Sequence, residues 1–201
     1  MVPCQLGLRP TLQKEANVPR CIATAPDLQA LQDLDGPLIY LNGPIQGADD
    51  WQHEAISLLG DLAPSVHIAS PRALQFKGAQ DAHLIWEMAF SKRAAREGVI
   101  LFWLARETQH HCSRSYAAQL RFDLGEWAVK SQAGLARLVV GIERGFTGGP
   151  YLQRRFALTY PNIPICRSLR QTCAAAAELA AAPTGVYPQT LADLFVPRFT
   201  P

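Results

Sequence analysis

Cysteine is sparse in this chain and never paired. Its five cysteines, Cys4, Cys21, Cys112, Cys166 and Cys173, form no CxxC spacing. That argues against a disulfide framework or a structural zinc site and fits a reducing cytosol. Excess charge is missing too. The net charge is +2, and no Lys/Arg stripe interleaves with aromatics, so nucleic acid is not an expected partner. The longest apolar segments fall short of a membrane span, and residues 1–20 carry no apolar signal core. "GFTGGP" lacks the Lys-Ser/Thr of a phosphate loop, and no GxSxG elbow occurs. His110, His111 and Cys112 are adjacent, so they cannot easily converge on one ion. No metal or cofactor is expected, and the expectation is a soluble cytoplasmic protein with no membrane partner.

What is present is the material of a core. Hydrophobic residues make up 48% of the 201, and charged residues 18%, which suits one globular domain. Residues 1–35 are polar and proline-bearing and read as an irregular N-terminal arm, with a short helix around "DLQALQDL". The domain, 36–201, opens with the strand "PLIYLN", stopped by Gly43-Pro44. "DDWQHEAISLLGDL" follows as a helix with Asp49 or Asp50 as its cap. "SVHIAS" is a second strand, and a second helix runs through Ala82, Ile85, Met88 and Ala89. "GVILFWLA" and "ARLVVGI" are continuously apolar, as strands buried on both faces are. Between them "SYAAQLRFDLGEWAVK" reads as a third helix; "PYLQRRFALTY", "NIPIC" and "TCAAAAELAAA" complete the alternation.

Strands alternating with helices predict a doubly wound α/β sheet of about five parallel strands with helices on both faces. The expected order is flavodoxin-like, 2-1-3-4-5. Ligands in such sheets sit beyond the strands' carboxyl ends where the order reverses. That edge holds "NGPIQGADD" and "RETQHHCSRSY".

Two acids, Asp123 and Glu126, stand close to it. At roughly 100° per residue, Tyr116, Leu120, Leu124, Trp127 and Ala128 form one apolar stripe. Asp123 projects about 80° from the stripe's centre and Glu126 about 140°. A reactive carboxylate needs partial desolvation, so the border position favours Asp123. Gly125 adds a place where another backbone or a ligand can come close.

The ordered set "IYLNGPI", "ASPRA", "WE", "VILFWLA", "FDLGEWA" and "LVVGIERGF" resembles the nucleoside 2-deoxyribosyltransferase-like family from about residue 37 to about residue 157. The resemblance implies a flavodoxin-like fold and a carboxylate that attacks the anomeric carbon of a nucleoside sugar. Asp123 matches that carboxylate, although the family's usual residue is Glu. Tyr40 matches the tyrosine that orients it, and Glu87 the acid that meets the sugar hydroxyls. Gly43 and Pro44 would shape the loop under the sugar. Asp50, Arg72, Ser113, Arg114 and Glu126 are the further substrate-binding candidates, with Ser113, Arg114 and Arg72 suited to a 5′-phosphate. The family's base-handling Asp has no counterpart; Glu107, His110, His111 and Arg114 are unranked substitutes. A homo-oligomer is implied by resemblance, and Phe122, off the core stripe, agrees with it.

The implied chemistry is N-glycosidic bond cleavage or transfer on a small-molecule nucleoside or nucleotide through a carboxylate-stabilised sugar. The alternative is a non-catalytic nucleoside- or nucleotide-binding or interaction module that keeps the fold.

Overall fold

The computed structural model describes residues 20–32, 34–72 and 80–182. Most of the arm (1–19 and 33), the segment 73–79 and the tail 183–201 lie outside the described residues.

Six parallel strands form one sheet: β1 (Ile22–Thr24), β2 (Leu38–Asn42), β3 (His67–Ser70), β4 (Gly98–Leu104), β5 (Leu138–Ile142) and β6 (Ile165–Cys166). Their order is β1-β3-β2-β4-β5-β6. Counted from Leu38, this is the 2-1-3-4-5 order expected of a flavodoxin-like sheet. The sixth strand comes from the arm, which is therefore not wholly irregular. β1 is three residues long and buries only its middle one, Ala23, so it gives no apolar run to read. It pairs Ile22, Ala23 and Thr24 with Ile68, Ala69 and Ser70 of β3. The buried His67 ring fastens this edge, with Nδ1 accepting from the Cys21 amide at 3.0 Å. That leaves Nε2–H to donate to the Asp35 carbonyl at 2.7 Å.

The helices are α1 (Trp51–Leu62), α2 (Gln80–Glu97), α3 (Ala118–Gln132), α4 (Gly149–Thr159) and α5 (Leu169–Ala181). Alternation along β2 sorts them into layers. Leu38 and Tyr40 pack with Trp86 and Phe90 of α2, Leu124 and Trp127 of α3 and Phe156 of α4. Ile39 and Leu41 pack with Trp51, Ala55 and Leu59 of α1 and Cys173 and Ala176 of α5. Every residue of β2, β4 and β5 is buried, which is why those strands read as unbroken apolar runs.

Two helices differ from their sequence patterns. On α2 the sheet face belongs to Trp86, Phe90 and Ala94. Ile85 and Met88 instead stay 54% and 47% exposed. Trp86 and Phe90 bury more apolar area per side chain, and the stacked pair takes the interior. α3 starts at Ala118, after Ala117 in the left-handed region with φ 55°. Tyr116 is therefore not part of the helix. Its hydroxyl lies 2.8 Å from the Ala105 carbonyl and 3.1 Å from that of Arg106, anchoring the loop after β4. No helix among the described residues is long and apolar enough to cross a membrane.

Candidate functional site

β2 and β4 are neighbours at the point where the strand order reverses, and Asn42 ends β2 opposite Phe102. Period-two alternation puts Asn42 on the face that carries Tyr40, towards α2 and α3. The loops that follow these strands meet above it. The amides of Thr108 and Gln109 donate to the Gly47 carbonyl at 2.7 and 3.2 Å, and Arg114 donates to the Gln46 side chain.

Asp123 stands in the second turn of α3, half-buried beside Leu124. Its Oδ2 accepts from Asn42 Nδ2 at 3.4 Å, a long bond for a charged acceptor. Burial pushes its carboxyl above the ordinary aspartate value, the Asn42 bond opposes this, and the charges of Glu87 and Glu126 add to the rise. A half-buried acid with one donor and like-charged neighbours keeps a proton to higher pH than a surface aspartate. Glu126 acts on Asp123 only through its charge. It is exposed and pairs with Lys130 one turn on, whose ammonium sits 4.3 Å over the Trp127 ring. The helical projection thus separated the two acids correctly.

Tyr40 is 2% exposed. Burial holds its hydroxyl well above the usual tyrosine value, with Glu87 and Asp123 adding to the effect, so it stays a protonated donor. Among the described residues, however, the side-chain bond that Asp123 accepts comes from Asn42, not from Tyr40. Asn42 is the site residue that sequence reasoning missed. Attention to the Gly43-Pro44 breaker passed over the residue before it, but parity with Tyr40 marks Asn42 as inward-facing.

Glu87 of α2 is half-buried and bridges towards α3. Gln119 Nε2 donates to its Oε2 at 3.0 Å, and His83 Nε2 lies 3.3 Å from its Oε1. A carboxylate has about four lone-pair directions, so Glu87 retains capacity for a sugar hydroxyl.

The other candidates divide. Arg72 reaches the loop after β2 and the first turn of α1: Nε to Gln52 at 2.9 Å and Asp50 at 3.1 Å, Nη2 to the carbonyls of Ile45 and Asp49 at 3.2 and 3.4 Å. It clamps that loop through Nε and Nη2. Asp50 caps α1 through the His53 amide at 3.2 Å and pairs with Arg72. Gly43 is fixed by packing. A Cβ there would stand 2.4 Å from the Trp103 carbonyl and 2.5 Å from the Trp51 ring. Pro44 accepts the Trp51 indole N–H at 2.9 Å. Ser113 is exposed. Glu107 holds His110 at 2.9 Å. Among the described residues, no group of three or more His, Cys, Asp or Glu is arranged to hold a metal.

Two cavities, of about 750 and 320 Å³, open along the same sheet edge, and neither is lined by Asp123, Tyr40 or Glu87. They lie around the ends of β4, β5 and β6.

The fold and this site together define a doubly wound α/β protein carrying a half-buried carboxylate at its switch point. No family model matches the chain, and no curated protein matches it.

Proposed function

We propose that the chain belongs to the nucleoside 2-deoxyribosyltransferase-like family and cleaves or transfers the N-glycosidic bond of a small nucleoside or nucleotide in the cytoplasm. The observation that carries this reading is the setting of Asp123. It is one carboxylate, half-desolvated, held by Asn42 at the switch point, with Tyr40 and Glu87 close enough to share its field.

In this reading the ionised Asp123 faces C1 of the sugar. As the C1–N bond breaks, its electron pair leaves with the base, which takes up a proton. The carboxylate stabilises the cationic sugar or closes a C1–O bond to it. A second base then attacks C1 and frees the carboxylate; if water attacks, the outcome is hydrolysis. Asn42 positions the carboxylate, and Glu87 accepts from a sugar hydroxyl. Arg114 and Ser113, in the loop after β4, remain available to a 5′-phosphate. Homo-oligomerisation has support from the apolar side chains that α2 and α3 leave outside, Ile85, Met88 and Phe122, the last 72% exposed.

The test incubates the protein with deoxynucleosides and with deoxynucleoside monophosphates, with and without an acceptor base, and measures base release and exchange. Inactivity on all of them overturns the enzymatic reading. A binding module without turnover is the second reading, favoured by the aspartate in place of glutamate. It predicts thermal stabilisation by these ligands with no base released.

A further inference from the structure

The larger cavity is walled by arginine on three connections. Arg106 follows β4, Arg144 follows β5, and Arg167 lies between β6 and α5; Trp103 and Leu169 form an apolar floor. Trp103 and Leu169 belong to the core under α1 and α5, whereas Asp123 belongs to the α2 and α3 side. This cleft is therefore separate from the carboxylate site.

Its charges are unevenly committed. Glu143 is taken by Arg106, accepting from the Arg106 amide at 2.8 Å and pairing with its Nε at 3.4 Å. Among the described residues, the guanidinium groups of Arg144 and Arg167 have no carboxylate or carbonyl partner. Both residues also border the smaller cavity, on the α4 side of β5. The α5 N-terminus borders the larger cavity and the α4 N-terminus the smaller one, and neither helix has an acid in its first turn. Their amide dipoles add positive potential to the two unpaired cations. Glu54, on α1, is the remaining carboxylate of the lining. It limits the net charge and can accept a hydroxyl hydrogen.

We propose that Arg144 and Arg167 bind the phosphate of a small hydroxylated phosphate monoester, a sugar phosphate in class, whose hydroxyls face Glu54. A guanidinium pair suits a phosphate's oxygens, and a volume of about 750 Å³ leaves room for such a molecule. Glu54 favours an organic phosphate over the inorganic ion, which offers fewer hydroxyls.

The experiment is titration calorimetry of the full chain with ribose 5-phosphate and, separately, inorganic phosphate. Saturable binding of ribose 5-phosphate is expected, with inorganic phosphate weaker. Arg144→Gln and Arg167→Gln should each weaken the sugar phosphate by about tenfold or more, the scale of one lost bond to a charged group. Arg154→Gln, an exposed arginine of α4 outside both cavities, should leave it unchanged. Absence of binding at millimolar ligand overturns the proposal. So does unaltered affinity in both cleft variants, a loss in Arg154→Gln equal to theirs, or inorganic phosphate binding as tightly as the sugar phosphate.

Discussion

Asn42, the last residue of β2, donates to Asp123 in the second turn of α3 at 3.4 Å, across 81 residues of sequence. This contact joins strand and helix at the sheet's switch point and gives the carboxylate a fixed partner. Because the bond favours the ionised form, Asn42→Ala should raise the Asp123 pKa further and move the acid limb of the kcat/KM profile to higher pH. The rate at the optimum should fall about 10-fold to 10²-fold, since one hydrogen bond to a charged group is worth about 1.5–3 kcal/mol. An unmoved acid limb counts against a positioning role.

Glu87 acts on the same pKa with the opposite sign. Its charge raises that of Asp123, so Glu87→Gln should shift the acid limb to lower pH while raising KM if Glu87 meets the sugar. A pH-rate profile of the variant beside Asn42→Ala reads both shifts at once, and shifts in the same direction contradict the assignment.

Stability carries the same signature without needing a substrate. A carboxyl whose pKa is raised on folding binds its proton more tightly in the native state, so the native state loses stability as pH rises. Compared with Asp123→Asn, wild type should gain stability as pH falls through a window that opens at Asp123's raised pKa and closes below the ordinary aspartate value. Above that window the difference should be constant. Melting curves of the two proteins between about pH 4 and 7 test this; a gap that changes in the reverse sense rules it out.

What the sequence made legible follows from how local each signal is. The buried strands declared themselves because β4 and β5 are apolar at every position on both faces. The half-buried state of Asp123 was readable because Leu120, Leu124, Trp127 and Ala128 recur at helical spacing and fix the helix's rotation. The start of α3 was not. Ala117 takes a left-handed conformation with no glycine or asparagine to announce it, so Tyr116 fell into the stripe although it anchors a loop. On α2 two apolar rows compete, and only packing decides that Trp86 and Phe90 face inward. The Arg72 clamp and the Arg144–Arg167 cleft depend on connections far apart in sequence, which no periodicity encodes.

Gly43 and Gly125 should respond oppositely to the same change. Gly43→Ala forces a Cβ against the Trp103 carbonyl and the Trp51 ring. It should cost about 1–3 kcal/mol through overpacking and lower Tm by several degrees. Gly125 is exposed within α3 and faces open space, so Gly125→Ala should stabilise the protein by about 0.5–1 kcal/mol. A loss of stability at Gly125 shows instead that a second chain packs against that face.

The most direct test is the rate of base release from a deoxynucleoside or its monophosphate by wild type and by Asp123→Asn, at equal enzyme and matched thermal stability. Removing the charge that meets C1 should cut the rate at least about 10²-fold, the scale of losing one positioned electrostatic group in a reacting site. An Asp123→Asn protein that releases base as fast as wild type contradicts the account at its centre.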